Sequence, residues 1–282
     1  YGTPHIVSAH SLEPLRPWKA EQLGGGYQIS SWAEKTSYEA AAAIIAVSDG
    51  MRADVLAAYP DVDPKKVVTI RNGVDTSKFA PNNNPAVLEE FGITGRYAMF
   101  VGRITRQKGL AHLLRAWKKV PAEYGLVLAA GSPDEETVGN EVAALIAELQ
   151  ATRSNVWWIK EMLPHDKLTA ALTQADLFLC PSIYEPLGIV NLEAMGCETA
   201  VLASRVGGIP EVVSHQETGI LVDYTPDHSR FEADLTAAIS ELMADPARLE
   251  KYGKAGRVRA ETHFGWDAVA QQTISLYRSV IS

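Results

Sequence analysis

The sequence predicts an α/β protein made of two doubly wound, Rossmann-like domains, of which the N-terminal one is truncated. Short apolar segments alternate with longer segments of helical periodicity along most of the 282 residues. This alternation is typical of parallel sheets with helices on both faces. It is interrupted at residues 79–87, FAPNNNPAV, where two prolines and three asparagines show no periodicity and indicate a linker. At roughly 150 residues per domain, the length also favours two domains.

Before the linker, the expected elements form half of a doubly wound unit. They are a strand at 5–10, a polar loop at 11–27, a helix at 29–43, a strand at 44–48, a helix up to Tyr59 and a strand at 67–70. Ser48 is the expected N-cap of the second helix, because its side chain can accept a hydrogen bond from a free N–H. The chain starts without Met and soon enters a strand, so we expect a fragment whose residues 1–79 are the C-terminal part of a domain.

After the linker the alternation restarts and predicts a second domain over residues 80–262. Its expected strands lie at 97–102, 126–131, 155–160, 175–180, 200–204 and 219–223, and its expected helices at 109–119, 136–151, 165–174, from 188, and from 230 to the end. Open parallel sheets bind ligands beyond the carboxyl ends of their strands. The loops after Val101, Ala130, Ile159 and Cys180 are therefore where we expect chemistry.

Composition excludes several classes of protein. Hydrophobic residues at 46% and charged residues at 21% are ordinary for a globular chain, and the net charge of -8 disfavours a broad surface for nucleic acid or anionic membrane. No apolar run approaches the roughly 18 residues that span a bilayer, and no export signal opens the chain. We expect a cytoplasmic protein whose two cysteines, Cys180 and Cys197, are reduced and buried.

A basic segment follows the first strand of the second domain. GRITRQKG, residues 102–109, is expected to leave the strand through a glycine and carries Arg103, Arg106 and Lys108 before a helix. Arginine can grip phosphate oxygens with its planar fork and lysine adds a point charge, so the segment suits a phosphate group. Solvated loop cations are the alternative interpretation.

An acidic motif follows the strand that ends at Cys180. In residues 182–197, Glu185 precedes Gly188 and Ile189, which are expected in the first turn of a helix, and Glu193 lies eight positions after Glu185. Free amides at a helix start can receive phosphate oxygens, while the two carboxylates can accept hydrogen bonds from hydroxyls on either side. This spacing suits a nucleotide sugar, although two glutamates near a helix start also complement the helix dipole.

Together, GRITRQKG and EPLGIVNLE resemble the retaining GT-B glycosyltransferases, in the group that contains bacterial glycogen synthases. Within this group, HSLEPLRPWKAEQLGGGY resembles the short bacterial enzymes that use ADP-glucose to make glycogen or maltose 1-phosphate. The resemblance extends from His5 to Tyr277. It implies a GT-B fold of two Rossmann-like domains, in which residues 263–282 form a helix that crosses back to the N-terminal domain.

The resemblance also implies roles at the donor diphosphate. Arg103 and Lys108 would hold the diphosphate and stabilise the leaving nucleoside diphosphate, assisted by the amides of Gly188 and Ile189. Preorganised cations and amides can do this without a metal ion, and no cofactor is implied.

Three further roles follow from the same resemblance. Glu185 would bind hydroxyls of the transferred hexose, Glu193 would bind the ribose, and His10 would lie beside the hexose at the reacting centre.

The triplet Asp61-Val62-Asp63 could hold a metal in another glycosyltransferase fold, but it lies between two prolines ahead of a strand, so we interpret it as a turn.

The acceptor is the least determined partner. Arg16 and Lys19 follow His10 in the polar loop. Because a glucan has no charge for these cations to neutralise, we consider glucose 1-phosphate as an acceptor in addition to an α-1,4-glucan. Two other hypotheses stay open at this point. One is a GT-B enzyme with a different nucleotide-sugar donor, and the other is a module that binds a nucleotide sugar without turning it over.

Overall fold

The computed structural model describes residues 3–281, with only the backbone described at residues 21 and 22. The chain divides into two compact units. The first comprises residues up to Gly73 together with those from Phe264 onward, and the second comprises Val74–His263. The division inferred from sequence, with boundaries after residues 79 and 262, stays a prediction. Each unit contains one parallel sheet, which confirms the predicted α/β class.

The strands of the described residues are β1 (Ile6–Ala9), β2 (Ala43–Ala46), β3 (Val67–Thr69), β4 (Tyr97–Ile104), β5 (Gly125–Pro133), β6 (Val156–Ile159), β7 (Leu177–Cys180), β8 (Ala200–Ser204) and β9 (Gly219–Val222). The helices are α1 (Lys19–Leu23), α2 (Gly26–Ala40), α3 (Asp49–Ala58), α4 (Ala86–Phe91), α5 (Leu110–Trp117), α6 (Glu136–Thr152), α7 (His165–Thr173), α8 (Ile189–Gly196), α9 (Ile209–Val212), α10 (His228–Met243), α11 (Pro246–His263) and α12 (Trp266–Ile281). None of these helices has both the length and the apolar character that crossing a bilayer requires.

The first unit contains a three-stranded sheet in the order β1-β2-β3. Its central strand β2 is buried along its whole length, as expected for a strand covered on both faces. The predicted cap of α3 is confirmed, because the Ser48 hydroxyl accepts a hydrogen bond of 2.8 Å from the Met51 amide. The short apolar strands and this cap therefore form where the sequence pattern places them.

The segment between β1 and α2 is not the polar loop that the sequence suggested. It contains a 3₁₀ turn at Glu13–Leu15 and the helix α1, and α2 begins three residues before the expected start. Gly24 turns the chain between the two helices with a φ of +52°, a conformation that favours glycine. The glycine run at residues 24–26 therefore lies at the junction of two helices, and Gly26 is already helical.

The second unit contains a six-stranded parallel sheet in the order β6-β5-β4-β7-β8-β9. From β4 the strands follow one another in chain order towards one edge of the sheet, as β4-β5-β6, and from β7 they do so towards the other edge, as β7-β8-β9. The adjacent strands β4 and β7 therefore form the switch point of the sheet. In doubly wound sheets, ligands bind beyond the carboxyl ends of the strands at this point. The loops that follow β4 and β7 consequently define the candidate site.

The core of the second unit is formed where helices pack on this sheet and on one another. Helices α5 and α6 pack together, α10 packs on α5, and α11 packs on α8 and β8. Large side chains such as Trp117, Phe100 and Phe231 are almost fully buried. Strand β4 continues to Ile104, two residues beyond its predicted end, so Gly102 and Arg103 lie in the strand instead of leaving it. This packing supports the two loops at the switch point.

Helix α11 is expected to tolerate no side chain at Gly253. A Cβ atom there would lie 2.0 Å from the carbonyl oxygen of Glu198, much closer than a nonbonded contact allows. We expect Gly253→Ala to lower the Tm by roughly 5 °C, because α11 must move away from Glu198 to make room for the new methyl group. This loss should exceed the gain from the higher helix propensity of alanine. Thermal melts should show no comparable change for the neighbouring exposed control Lys254→Ala, and an unchanged Tm for Gly253→Ala would contradict this packing.

Candidate functional site at the switch point

The loops after β4 and β7 are held in direct contact. The Ile183 amide donates a 2.9 Å hydrogen bond to the carbonyl oxygen of Gln107. Gly109 has a φ of +65°, and a Cβ atom on it would lie 2.0 Å from the carbonyl oxygen of Pro181. Any other residue at 109 would push the two loops apart, so glycine is needed both for its backbone conformation and for the close approach.

The contact between these loops brings together two of the predicted site residues, Lys108 and Glu185. The Lys108 Nζ atom donates a 2.6 Å hydrogen bond to Glu185 Oε2, and their side chains are only 19% and 10% exposed. Burial alone would lower the pKa of Lys108, but the adjacent Glu185 carboxylate outweighs it and the pKa is raised. Lys108 therefore stays a cation at neutral pH, at the point where the two loops meet.

Glu185 is held by groups from three loops. The Ser182 hydroxyl donates to Glu185 Oε2 at 3.2 Å, and the Gly208 amide donates to the Glu185 carbonyl oxygen at 3.0 Å. At Gly207, where φ is +51°, a Cβ atom would lie 2.0 Å from that same carbonyl oxygen. The position of Glu185 is consequently set by the segments after β4, β7 and β8.

Helix α8 starts next to this ion pair. Gly188 is its N-cap, with a φ of +93°, and Ile189 is its first residue. Gly188 is buried, whereas the Ile189 side chain is 38% exposed. The first amides of a helix have no partner within the helix and carry its positive dipole end. Gly188 and Ile189 thus occupy the positions predicted for them at a helix start that can accept an anion.

Glu193 lies in the second turn of α8 and differs electrostatically from Glu185. Burial raises the pKa of Glu193 to about 7, although the charges of His165 and Lys108 partly oppose this shift. His165 packs edge-on against Phe79, with ring centroids 4.8 Å apart. The two carboxylates of the motif therefore have different surroundings, because Glu185 is hydrogen-bonded to a cation whereas burial raises the pKa of Glu193.

The other two predicted cations make different ion pairs. The Arg103 guanidinium contacts both oxygens of Asp134, at 2.9 and 2.7 Å, and its side chain is 68% exposed. Arg106 pairs with Glu135 at 3.1 Å. The structure thus joins Lys108 with Glu185 and places Arg103 on a separate carboxylate of the β5–α6 segment. The sequence analysis did not identify Asp134 as a partner.

A cavity of about 470 Å³ lies beside Arg103. It is lined by the carboxyl ends of β4 and β5 and by the segment after β6, including Ser132, Lys160 and Leu163. Its walls are mainly apolar side chains with a few polar groups, a composition typical of small-molecule sites. The cavity lies where the sequence analysis expected chemistry, at the ends of three neighbouring strands.

The remaining predicted site residues belong to the first unit. His10 follows β1 and is exposed. Arg16 and Lys19 both contact Glu13 Oε1, at 3.0 and 3.4 Å. Glu13 is only 5% exposed, and sequence reasoning missed it. Its spacing, three residues before Arg16 and six before Lys19, was the available signal. The charges of Arg16 and Lys19 are therefore already partly balanced.

Sequence reasoning also missed Ser182, which the structure places on Glu185. The triplet at Asp61 behaves as a turn, because Asp63 Oδ1 accepts a 2.9 Å hydrogen bond from the Lys65 amide at the start of a 3₁₀ turn. Over residues 3–281, no group of three or more His, Cys, Asp and Glu side chains is arranged to hold a metal ion. Cys180 and Cys197 are free and buried, as predicted.

Comparison with known proteins identifies relatives along the whole chain. Residues 89–259 match the family model described as glycosyl transferases group 1, and residues 1–78 match that of glycosyltransferase family 4. The alpha-maltose-1-phosphate synthase of Mycolicibacterium smegmatis is 53% identical over 99% of this chain and 74% of that protein. The protein of the same name from Mycobacterium tuberculosis is 51% identical over the same shares. A glycogen synthase of Mycobacterium tuberculosis is 28% identical over 98% of this chain and 63% of that protein.

Solved structures with the GT-B fold superpose on the chain. Sucrose-phosphate synthase from Thermosynechococcus elongatus matches with a TM-score of 0.83 and 28% identity, over 100% of this chain and 69% of that one. Anabaena HepE, solved in complex with UDP-glucose, matches with a TM-score of 0.82 over 98% of this chain and 72% of that one. At 20% identity, the second likeness shows the fold alone. These matches confirm the predicted fold class.

The raised pKa of Glu193 predicts a pH-dependent stability. The folded pKa, about 7, lies above the ordinary value of 4.5. The folded state therefore keeps a proton that the unfolded state has released, and the stability falls as the pH rises between these two values. We expect Glu193→Gln to raise the Tm by roughly 2–4 °C at about pH 8.5 and to change it little at about pH 5.

Thermal melts of Glu193→Gln at the two pH values measure this difference directly. The exposed control Glu148→Gln, which pairs with Lys118, should show no gain at either pH. A Glu193→Gln variant whose Tm gain is the same at both pH values would contradict the assigned burial of the Glu193 charge.

Proposed function

The chain belongs to the group 1 glycosyltransferases, and on that premise we propose that it transfers glucose from ADP-glucose, with retention of configuration, to an α-1,4-glucan or to glucose 1-phosphate. The observation that carries the proposal is the buried pair of Lys108 and Glu185 beside the start of α8. This arrangement offers a fixed cation and free amides to a diphosphate and a fixed carboxylate to sugar hydroxyls.

The identity of the transferred sugar rests on the relatives and on the first motif. Relatives at 53% and 51% identity are named for maltose 1-phosphate, a disaccharide phosphate built from glucose units. The segment HSLEPLRPWKAEQLGGGY resembles enzymes that use ADP-glucose. These two observations support glucose as the sugar and ADP as the nucleotide, and a role in glycogen biosynthesis.

The proposed chemistry is separation of charge at the anomeric carbon. The bond between this carbon and the diphosphate oxygen breaks, and the diphosphate leaves with the electron pair. The acceptor hydroxyl bonds to the same face of the carbon, and its proton passes to the departing diphosphate oxygen. Lys108 and the amides of Gly188 and Ile189 stabilise the negative charge that develops on the diphosphate. These groups are already in place before the reaction, so little reorganisation opposes it.

In the proposal, Arg103 leaves Asp134 and binds the donor diphosphate. Its guanidinium is paired with Asp134 and its side chain is 68% exposed, so the side chain has room to turn towards a phosphate. An exposed ion pair of this kind contributes little to stability, whereas a diphosphate offers two charges and several acceptor oxygens. We assign Arg103 to the donor diphosphate on this ground.

The remaining donor contacts follow from the two carboxylates and the cavity. Glu185 accepts hydrogen bonds from hydroxyls of the transferred glucose, and Glu193 accepts them from the ribose. The cavity of about 470 Å³ at the ends of β4 and β5 receives the nucleobase. His10, exposed after β1, is assigned to the hexose at the reacting centre through its match to the family motif.

The catalytic assignment predicts the effect of removing either partner of the ion pair. We expect Glu185→Gln and Lys108→Ala each to lower turnover by about tenfold or more, because both act on the sugar diphosphate in the transition state. Initial rates should be measured at a temperature at which circular dichroism shows each variant folded. Lys118→Ala, a lysine of an exposed ion pair, is the matched control. A near wild-type rate in either site variant would remove the assignment.

The donor assignment predicts binding without a divalent metal. Calorimetry with excess chelator should give a Kd for ADP-glucose at least about tenfold lower than for UDP-glucose or GDP-mannose. Charge neutralisation in the proposal comes from Lys108, Arg103 and helix amides, so chelation should not change the Kd. Loss of binding with chelator would restore Asp61 and Asp63 as metal ligands, and preference for another nucleotide would replace the proposed donor.

The acceptor assignment predicts a selective effect at Arg16 and Lys19. If they contact the phosphate of glucose 1-phosphate, Arg16→Ala and Lys19→Ala should raise its KM by roughly tenfold and leave the KM for glycogen nearly unchanged. Lys35→Ala, an exposed lysine of α2 paired with Glu39, is the control. Equal losses towards both acceptors, or no loss towards either, would show that the two cations only balance Glu13.

A further inference from the structure

Helix α8 contains a buried amide that the site described above does not use. The side chain of Asn191 is completely buried, and neither Oδ1 nor Nδ2 has a hydrogen-bond partner within residues 3–281. A side-chain amide has two donor hydrogens and two acceptor lone pairs. Leaving all of them unpaired in the interior is unfavourable, so such a group calls for a specific explanation.

The unpaired amide lies against the turn that starts α8. A Cβ atom on Gly188 would lie 2.6 Å from Asn191 Nδ2 and 3.4 Å from Glu185 Cγ. The Asn191 backbone amide also donates a 2.9 Å hydrogen bond to the Gly188 carbonyl oxygen. The Asn191 side chain therefore packs beneath the same turn whose amides we assign to the donor diphosphate, next to the stem of Glu185.

The groups around the Asn191 amide offer it few hydrogen-bond partners. Besides Asn191 and Glu185, the group nearest to a Cβ atom on Gly188 is the apolar side chain of Ile209, whose Cγ1 would lie 3.3 Å away. The Glu185 carbonyl oxygen is already engaged by the Gly208 amide. A change in the turn at Gly188 is consequently the nearest way to give Asn191 a hydrogen-bond partner.

We propose that Asn191 is a positioning residue for the donor diphosphate, acting through the turn at Gly188 and Ile189. The inference rests on the proposed function, because it takes the diphosphate to bind at this turn. When the turn receives the diphosphate, the Asn191 amide gains hydrogen bonds to backbone groups of the turn that it lacks in the free protein. Bonds made only in the bound state add to donor affinity, because a ligand shifts a conformation by its differential affinity.

The test compares donor affinity with ligand-free stability, with ADP as the probe. Asn191→Leu keeps the branched shape and removes the polar atoms, and Asn191→Ala is a second variant in case leucine does not fit. We expect both to weaken the Kd of ADP by about tenfold in calorimetry. The ligand-free Tm of Asn191→Leu should not fall, because no hydrogen bond is lost in the free protein.

Thr199→Val provides the matched control, because Thr199 is also buried but donates a 2.6 Å hydrogen bond to the Leu172 carbonyl oxygen. This variant should lower the Tm and leave the Kd of ADP unchanged. A Kd within threefold of wild type in either Asn191 variant would overturn the inference alone. A fall in Tm for Asn191→Leu equal to that of Thr199→Val would also overturn it, because the amide would then already be paired. If the wild-type protein binds none of ADP, UDP and GDP, the proposed function fails, and this inference fails with it.

Discussion

The ion pair between Lys108 and Glu185 joins two segments that are 77 residues apart in sequence. Each charge is mostly buried, and a buried charge without its partner is strongly destabilising. The loops after β4 and β7 must therefore approach closely, and glycine at 109 allows this, because a Cβ there would lie 2.0 Å from the Pro181 carbonyl oxygen. Gly207 allows the segment after β8 to approach the Glu185 carbonyl oxygen in the same way. The position of the α8 start follows from the same contact, since Glu185 lies just before Gly188.

Burial acts differently on the two carboxylates of the motif. Glu185 accepts hydrogen bonds from the Lys108 ammonium and from the Ser182 hydroxyl. Glu193 has no bonded cation among the described residues, and burial raises its pKa to about 7. Under the proposed function, hydroxyls of the donor supply the hydrogen bonds that favour the charged form of Glu193. Under the same proposal, the carboxylate bonded to Lys108 binds the transferred sugar, and the carboxylate with the raised pKa binds the ribose.

Part of this arrangement follows from the sequence, because alternating apolar and helical segments predict a parallel sheet with ligand-binding loops beyond the carboxyl ends of its strands. That logic placed Lys108 and Glu185 on two of these loops, and the strand order that makes the loops neighbours comes from the structure. It could not find the Asp134 partner of Arg103, because that pair depends on the extension of β4 and β5 past their apolar residues. It also missed α1, whose region is organised by the buried Glu13 contacting Arg16 and Lys19. Local composition there resembles a loop, and only tertiary contacts reveal the helix.

The most direct test of the central ion pair is a double-mutant cycle with Lys108→Met, Glu185→Gln and the combined variant, read from denaturant unfolding. Each single change leaves one mostly buried charge without its countercharge and should lower the free energy of unfolding by about 3 kcal/mol. The combined variant should lose at least about 2 kcal/mol less than the sum of the two single losses. Losses that add within about 0.5 kcal/mol would show that Lys108 and Glu185 do not hold the two loops together.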